Sequence, residues 1–539
     1  MAAPQQHDEL VIGINEHPPT LMPLKEPAWV SNYLLGFISR PVSGWDSRDS
    51  EICFLCTEIP TFENQRERII TRPDGSKGVE VRITLKDNLF WGDGEPITAK
   101  DAEFTFKLRA QWNAGLKSPA FAAVESVKAL DERTFVLTLD KVRFGNEAWL
   151  WKAFLLPHHI EAALLEKAKT RAEYENVLST YITAPNTPGL WNGPYIVAEA
   201  NVGESLTLKP NPYWQGEKPH FKKIILKFVR PDQYVTKLLA GDFDYAPGEL
   251  GMSAIEGLNL LKTKADVLDI KFKQSSRVFF LLPNHTNPIL SRVPLRKALM
   301  LSLDREDIAN KLLGDKQTVA DTMIAPGMPG YDPSVFRYHY DPAAAAVLFD
   351  QEGFKLGADG VRINAAGQRL SFDMVATLMT AASAEMVKQQ WAKVGVEIKV
   401  RPVEVKAFFE TVKSGEFAFI LYNHVISPGA IPAWFLSTEA MARPGAGDQN
   451  SNAFWLYNYS RYSNPEMDAL TLKLEEAKTP DERIIIWRRF QQLYVAQLPG
   501  FPIMWNMECY AMPNWLTGVE PTGHTVPSSY HAELWRGDL

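Results

Sequence analysis

The segment from Glu385 to Arg401 constrains the fold more than any other stretch of this chain. Val387, Trp391 and Val394 recur at the spacing of one helix face. Gly395 stops that pattern, as glycine does just past a helix end. Val396, Ile398 and Val400 then alternate with Glu397, Lys399 and Arg401, which is the period of a half-buried strand. A helical period giving way to a strand period across one glycine marks an α/β unit. Val79 to Leu85 and Thr134 to Leu139 alternate in the same way and predict further strands. Thr479-Pro480-Asp481-Glu482 predicts a helix start, with Thr at the cap, Pro at the first position and Glu at the third. Ile486, Phe490 and Leu493 make its buried stripe. At 539 residues the chain exceeds what one hydrophobic core organises, so two or three domains are expected.

Several function classes are disfavoured. A net charge of −7 argues against nucleic acid, whose phosphates need a basic face. No run of 18 apolar residues exists to span a bilayer. The start, Met1 to His7, lacks a charged segment followed by an apolar core. No GxSxG, P-loop, HExxH or dinucleotide-binding GxGxxG occurs. His158 and His159 are adjacent, so their rings diverge on a strand or a helix, and a surface or capping role is expected over a shared metal. Lys218 to Arg230, with Phe221, Ile224, Leu226 and Phe228 interleaved, reads as a strand with one wet face. Three cysteines are too few for a disulfide framework. Cys53 and Cys56 form a CxxC, either a local disulfide or inert thiols, with redox or zinc chemistry as the alternative. Cys509, among Met507, Tyr510 and Met512, reads as a core thiol. No cofactor or metal ligand set is expected.

The run Phe90 to Phe106 holds a tight turn at Gly92-Asp93-Gly94, a capping-box-like Thr98 and Asp101, and Phe104, Leu108 and Trp112 at four-residue spacing. As a pattern it resembles the signature of the family 5 extracytoplasmic solute-binding proteins of bacterial ABC importers, which include the oligopeptide and dipeptide binders. Leu10-Val11-Ile12-Gly13, Asn192-Gly193-Pro194-Tyr195, Asn211-Pro212-Tyr213-Trp214, Val293 to Arg305, Tyr340 to Phe354, Asn464 to Asp468 and Leu498 to Ile503 resemble further family elements in the family's order.

The resemblance implies an α/β, two-lobed periplasmic-binding-protein type II fold with an extra inserted subdomain. Lobe I is expected over 1–48, 184–276 and 505–539, holding both termini. The subdomain is expected over 49–183, and lobe II over 277–504. The implied function is a non-enzymatic, monomeric periplasmic receptor, its signal peptide removed. It captures a solute by hinge closure and delivers it to a cognate ABC permease in the inner membrane. A secreted carbohydrate-active hydrolase is the rival from another class.

The residues themselves add a ligand expectation. The chain has 15 Trp, 17 Tyr and 28 Phe, several in polar, glycine- or proline-rich surroundings. Flat aromatic faces beside amides suit a neutral, hydroxyl-rich or peptide-like ligand. Peptide receptors of the family carry an aspartate after the strand that follows "GxFD". Here Gly415 to Gly429 supplies no acid after Tyr422, and the next is Glu439. An ammonium buried without a counter-charge is costly. An oligosaccharide or an opine-like sugar–amino-acid conjugate is therefore expected, with an oligopeptide as the alternative. The candidate ligand-binding set is Trp191, Asn192, Tyr422, Asn423, His424, Trp434, Asn452, Trp455, Tyr457 and Trp505. Trp91 and its turn are expected to be scaffold.

Overall fold

A computed structural model describes residues 7–24, 29–46, 51–113, 124–140, 142, 154–201, 203–248, 250–316, 318–326, 328, 330–377, 380–425, 436–438, 441, 458–523 and 526–537. The chain divides into two compact units, Met1–Lys273 with Met507–Leu539, and Gln274–Asn506.

The first unit holds two four-stranded sheets. β1 (Glu9–Ile14) opens the chain, and β2 (Ser43–Trp45) pairs with β3 (Glu51–Cys53) in a short ladder. β4 (Glu67–Thr71), β5 (Lys77–Thr84), β6 (Val124–Ala129) and β7 (Thr134–Leu139) form an antiparallel sheet in the order β4-β5-β7-β6. The alternation of Val79, Val81 and Ile83 buries one face of β5, with Phe135 and Leu137 of β7 in the same core. β8 (Tyr195–Asn201), β9 (Ser205–Pro210) and β10 (Lys223–Phe228) complete a second sheet, ordered β1-β10-β9-β8, in which β10 pairs parallel to β1. On β10, Ile224 and Leu226 are fully buried while Lys223 and Lys227 are exposed, so this basic stretch is a strand with one wet face.

Trp91 is buried in the core of the β4–β7 sheet, and its N–H donates to the Glu95 carbonyl at 2.8 Å across the Gly92-Asp93-Gly94 turn. Gly94 adopts φ +90, which only glycine does cheaply. The helix Ala99–Asn113 begins with Asp101 Oδ2 accepting the Thr98 N–H at 2.8 Å. Asp101 Oδ1 accepts the His158 N–H at 2.8 Å, and burial raises the carboxyl's pKa. His159 Nε2 contacts Asp93 Oδ2 at 3.0 Å. Both histidines thus pin helix and turn.

Cys53 and Cys56 form a disulfide that closes a loop around Phe54. Phe54, Trp214 and Tyr530 surround the buried Arg40 guanidinium at 5.7, 5.3 and 5.9 Å. Arg40 pairs with Glu533 at 2.7 Å, so the loop after the helix Trp29–Ile38 is tied to the short helix Ser528–Leu534. Cys509 is a buried free thiol.

The second unit is built on a five-stranded sheet. β11 (Leu268–Pro283) enters from the first unit. β12 (Lys355–Leu356) and β13 (Arg362–Ile363) form a small hairpin. β14 (Ser371–Thr377), β15 (Glu397–Val403), β16 (Phe419–Val425) and β17 (Phe501–Pro513) follow, in the sheet order β15-β14-β16-β11-β17. The helix Ala381–Ala392, Gly395 at φ +82 and β15 realise the helix-to-strand switch. Val387 and Trp391 face one apolar core with Phe419 and Phe501. The helix Pro480–Gln497 is capped by Thr479, whose hydroxyl accepts the Glu482 N–H at 3.2 Å. It covers the opposite face, where Phe490 and Leu493 meet Phe280 and Ile420.

Candidate functional site

Ligands of open α/β sheets bind outside the carboxyl ends of the parallel strands. Register defines that edge here. β14 runs parallel to β15 with Thr377 opposite Val403, and parallel to β16 with Ala376 opposite Leu421. The three strands therefore finish side by side. β11 runs antiparallel to β16 and enters the sheet at this edge. It sets Arg277 opposite Val425, Val278 opposite His424, Phe279 opposite Asn423 and Phe280 opposite Tyr422.

Tyr422 sits among three rings. Phe408 stacks on it at 6.1 Å and 15°, while Phe409 (6.2 Å) and Tyr459 (5.7 Å) approach edge-on. Burial pushes the Tyr422 hydroxyl up to about 12, against the opposing pull of the positive charge on Arg277. The phenol therefore stays protonated and able to donate. The Thr377 and Thr380 hydroxyls lie 3.1 Å apart, and Thr380 Oγ1 accepts the Thr377 N–H at 3.1 Å. The Ser275 hydroxyl accepts the Arg277 N–H at 3.0 Å. The buried Ser276 hydroxyl has no hydrogen-bond partner among the described residues. This edge offers donors and aromatic surface, a binding chemistry. Among the described residues no group of three or more His, Cys, Asp or Glu could hold a metal.

The candidate set divides three ways. Tyr422, Asn423 and His424 fall at this strand end. Trp434, Asn452, Trp455 and Tyr457 lie outside the described residues. Trp191, Asn192 and Trp505 have protein partners where ligand-facing surface was expected. Trp191 is fully buried: its indole donates to the Pro185 carbonyl at 2.8 Å, its ring meets Tyr181 edge-on, and its carbonyl accepts the Gly92 N–H. The Asn192 amide is spent on the Arg40 backbone, accepting its N–H at 2.8 Å and donating to its carbonyl at 3.2 Å. Trp505 is 1% exposed within the core beneath the helix Pro480–Gln497.

Sequence reasoning missed Arg277, Thr377, Thr380 and the Phe408–Phe409 pair. One signal was available for Arg277, a lone charge preceding the apolar run Val278 to Leu282 at the boundary expected between the lobes.

Residues 74–441 match the description "Bacterial extracellular solute-binding proteins, family 5 Middle". The chain belongs to this family. The family 5 proteins similar to it include the Probable D,D-dipeptide-binding periplasmic protein DdpA of Escherichia coli (strain K12), 28% identical over 273 residues, half of each chain. The Oligopeptide-binding protein OppA of Bacillus subtilis (strain 168) is 22% identical over 480 residues, 85% of this chain and 82% of that one. Among solved structures, the oligopeptide binding protein from Thermus thermophilus complexed with pentapeptide superposes with TM-score 0.75 at 20% identity. The superposition covers 99% of this chain and 97% of that one. The fold is thus the type II periplasmic-binding-protein fold. As a family 5 protein the chain is a solute-binding receptor of the ABC-transporter class. Among the described residues no helix is long and apolar enough to cross a membrane.

Proposed function

We propose that this chain is the periplasmic receptor that captures a short peptide or peptide-like solute and delivers it to an ABC permease in the inner membrane. The observation that carries this reading is the family match over residues 74–441, joined to a fold shared along nearly the whole chain with a receptor that holds a pentapeptide. The relatives' names favour peptides over the sugar or opine expected from aromatic content. The burial of Trp191 and Trp505 removes two of the stacking surfaces on which that expectation rested.

In this reading lobe I comprises 1–48, 184–276 and 505–539, with the subdomain 49–183 inserted, and lobe II comprises 277–504. β11 and β17 each pass from one compact unit to the other, as hinge strands would. The protein performs no chemistry. Contacts made only in the closed form shift the lobe equilibrium toward closure.

Native mass spectrometry of the purified protein should reveal a retained peptide. Isothermal titration should give sub-micromolar binding for members of a di- to pentapeptide pool, and small-angle scattering should show contraction on saturation. Binding confined to neutral oligosaccharides would refute the peptide assignment. An unchanged radius at saturation would refute hinge closure.

A further inference from the structure

We propose that Arg461 is a positioning residue for the binding edge of the second unit, holding in place the rings that surround Tyr422. The inference deepens the peptide-receptor reading and rests on it.

The first support is backbone geometry. Arg461 adopts φ +54, a left-handed conformation that residues with a side chain seldom take. The turn around it enforces that conformation. Asn458 is fully buried, and its amide donates to the Ser437 carbonyl at 3.0 Å and to the Tyr462 carbonyl at 2.6 Å. Its Oδ1 accepts from the Ser460 hydroxyl at 3.0 Å and from the Tyr462 N–H at 3.2 Å. Backbone strain held this firmly by its surroundings is characteristic of functional positions.

The second support is where the guanidinium goes. The helix Val405–Ser414 ends in carbonyls that have no partner within the helix. Arg461 Nη2 donates to two of them, Val412 at 3.1 Å and Lys413 at 3.0 Å. A cation at this end also complements the helix dipole. Arg461 Nη1 donates to the Tyr459 carbonyl at 3.2 Å. The guanidinium lies 5.6 Å from the centre of the Phe417 ring, just ahead of β16. Gly415 makes room for it, since a Cβ there would stand 2.6 Å from Nη2.

The third support is what these anchor points carry. The helix bears Phe408 and Phe409, the turn bears Tyr459, and Phe417 leads into the strand that bears Tyr422. The first three rings meet the Tyr422 ring at 6.1, 6.2 and 5.7 Å. Phe408 stands only about 6–8 Å along the helix axis from the clamped carbonyls. One planar fork of donors therefore joins the supports of the whole ring cluster. Without it the helix end and the turn shift independently, and Tyr422 loses its fixed surroundings.

The test is a double-mutant cycle in the full-length protein, read by isothermal titration with the tightest-binding member of a di- to pentapeptide pool. Arg461→Gly suits the left-handed backbone and removes the fork. Its melting temperature should stay near that of wild type while affinity falls about tenfold, because the edge is no longer preorganised. Tyr422→Leu should lose at least about tenfold. The double variant should bind no more than about twofold more weakly than Tyr422→Leu alone, since Arg461 acts through that ring cluster. Arg461→Lys keeps the cation without the fork and should fall between wild type and the Gly variant. It carries the cycle if the Gly variant melts early. Unchanged affinity in Arg461→Gly, or in Tyr422→Leu, would overturn the inference and leave the peptide reading intact. So would losses that multiply in the double variant, to about a hundredfold. A panel of neutral oligosaccharides and opines separates the two readings. Binding of these with no peptide binding would overturn the peptide reading, and the same cycle run on them would decide the clamp. Binding of no probe by wild type would overturn both.

Discussion

Trp191-Asn192 in the first unit and Tyr422-Asn423-His424 in the second unit resemble each other as sequence, each an aromatic followed by an amide. The structure treats them differently. Trp191 and Asn192 lie between the Gly92 turn and Arg40, and the polar atoms of both side chains are used within the protein. Tyr422 lies near the end of a parallel strand, where the backbone ladder stops and donors gather. An aromatic beside an amide is therefore not a binding signature in itself. What matters is whether the local backbone turns inward, as after the short helix Pro188–Leu190, or runs out at a sheet edge.

Substitution can break this contrast. The largest effect is expected for Trp191→Ala, which empties a fully buried indole site and should cost on the order of 3–5 kcal/mol in denaturant unfolding. The folded fraction should bind ligand as wild type does. Normal stability with lost binding would reverse the roles assigned to the two regions.

A smaller effect, confined to the second unit, comes from acid. The half-buried His285 donates from Nε2 to the Pro499 carbonyl at 3.0 Å. Burial, then the positive charge of Arg296, pulls its pKa down to about 3. The unfolded chain takes up this proton near pH 6.5 and the folded chain refuses it. The stabilisation is complete above pH 6.5 and is lost as pH falls toward 3, at up to about 1.4 kcal/mol per pH unit. Urea titrations at pH 7 and pH 5 should show the decline, and His285→Gln should flatten it. An unchanged slope in that variant would place the titration elsewhere.

The smallest effect sharpens the contrast at the strand edge. Tyr422→Phe keeps the stacked ring and removes only the hydroxyl, so the melting temperature should barely move. Affinity should fall by about 1 kcal/mol, roughly fivefold. An unchanged affinity would remove the phenol from the site.

The switch across Gly395, the strands at Val79 and Thr134 and the cap at Thr479 were legible because each rests on local periodicity or capping chemistry. The tight turn beside Trp91 was legible from its glycines. The site was harder to read because it depends on register. Which residue of β11 faces the end of β16 is settled by pairing residues more than a hundred positions apart, and no local pattern encodes it. Trp191 misled for a related reason: its neighbours Asn192, Gly193 and Pro194 look exposed in sequence, yet Asn192 is held by a backbone 152 positions away.

The Arg40–Glu533 pair carries a consequence in time. Its partners stand 493 positions apart in the chain. At about 5–20 residues per second of synthesis, Arg40 waits roughly 25–100 s for its counter-charge. Until then a guanidinium destined for a dry, ring-walled site has no anion to accompany it, and an unpaired charge is not buried cheaply. The ring-walled site around Arg40 therefore cannot be completed until Glu533 has been made.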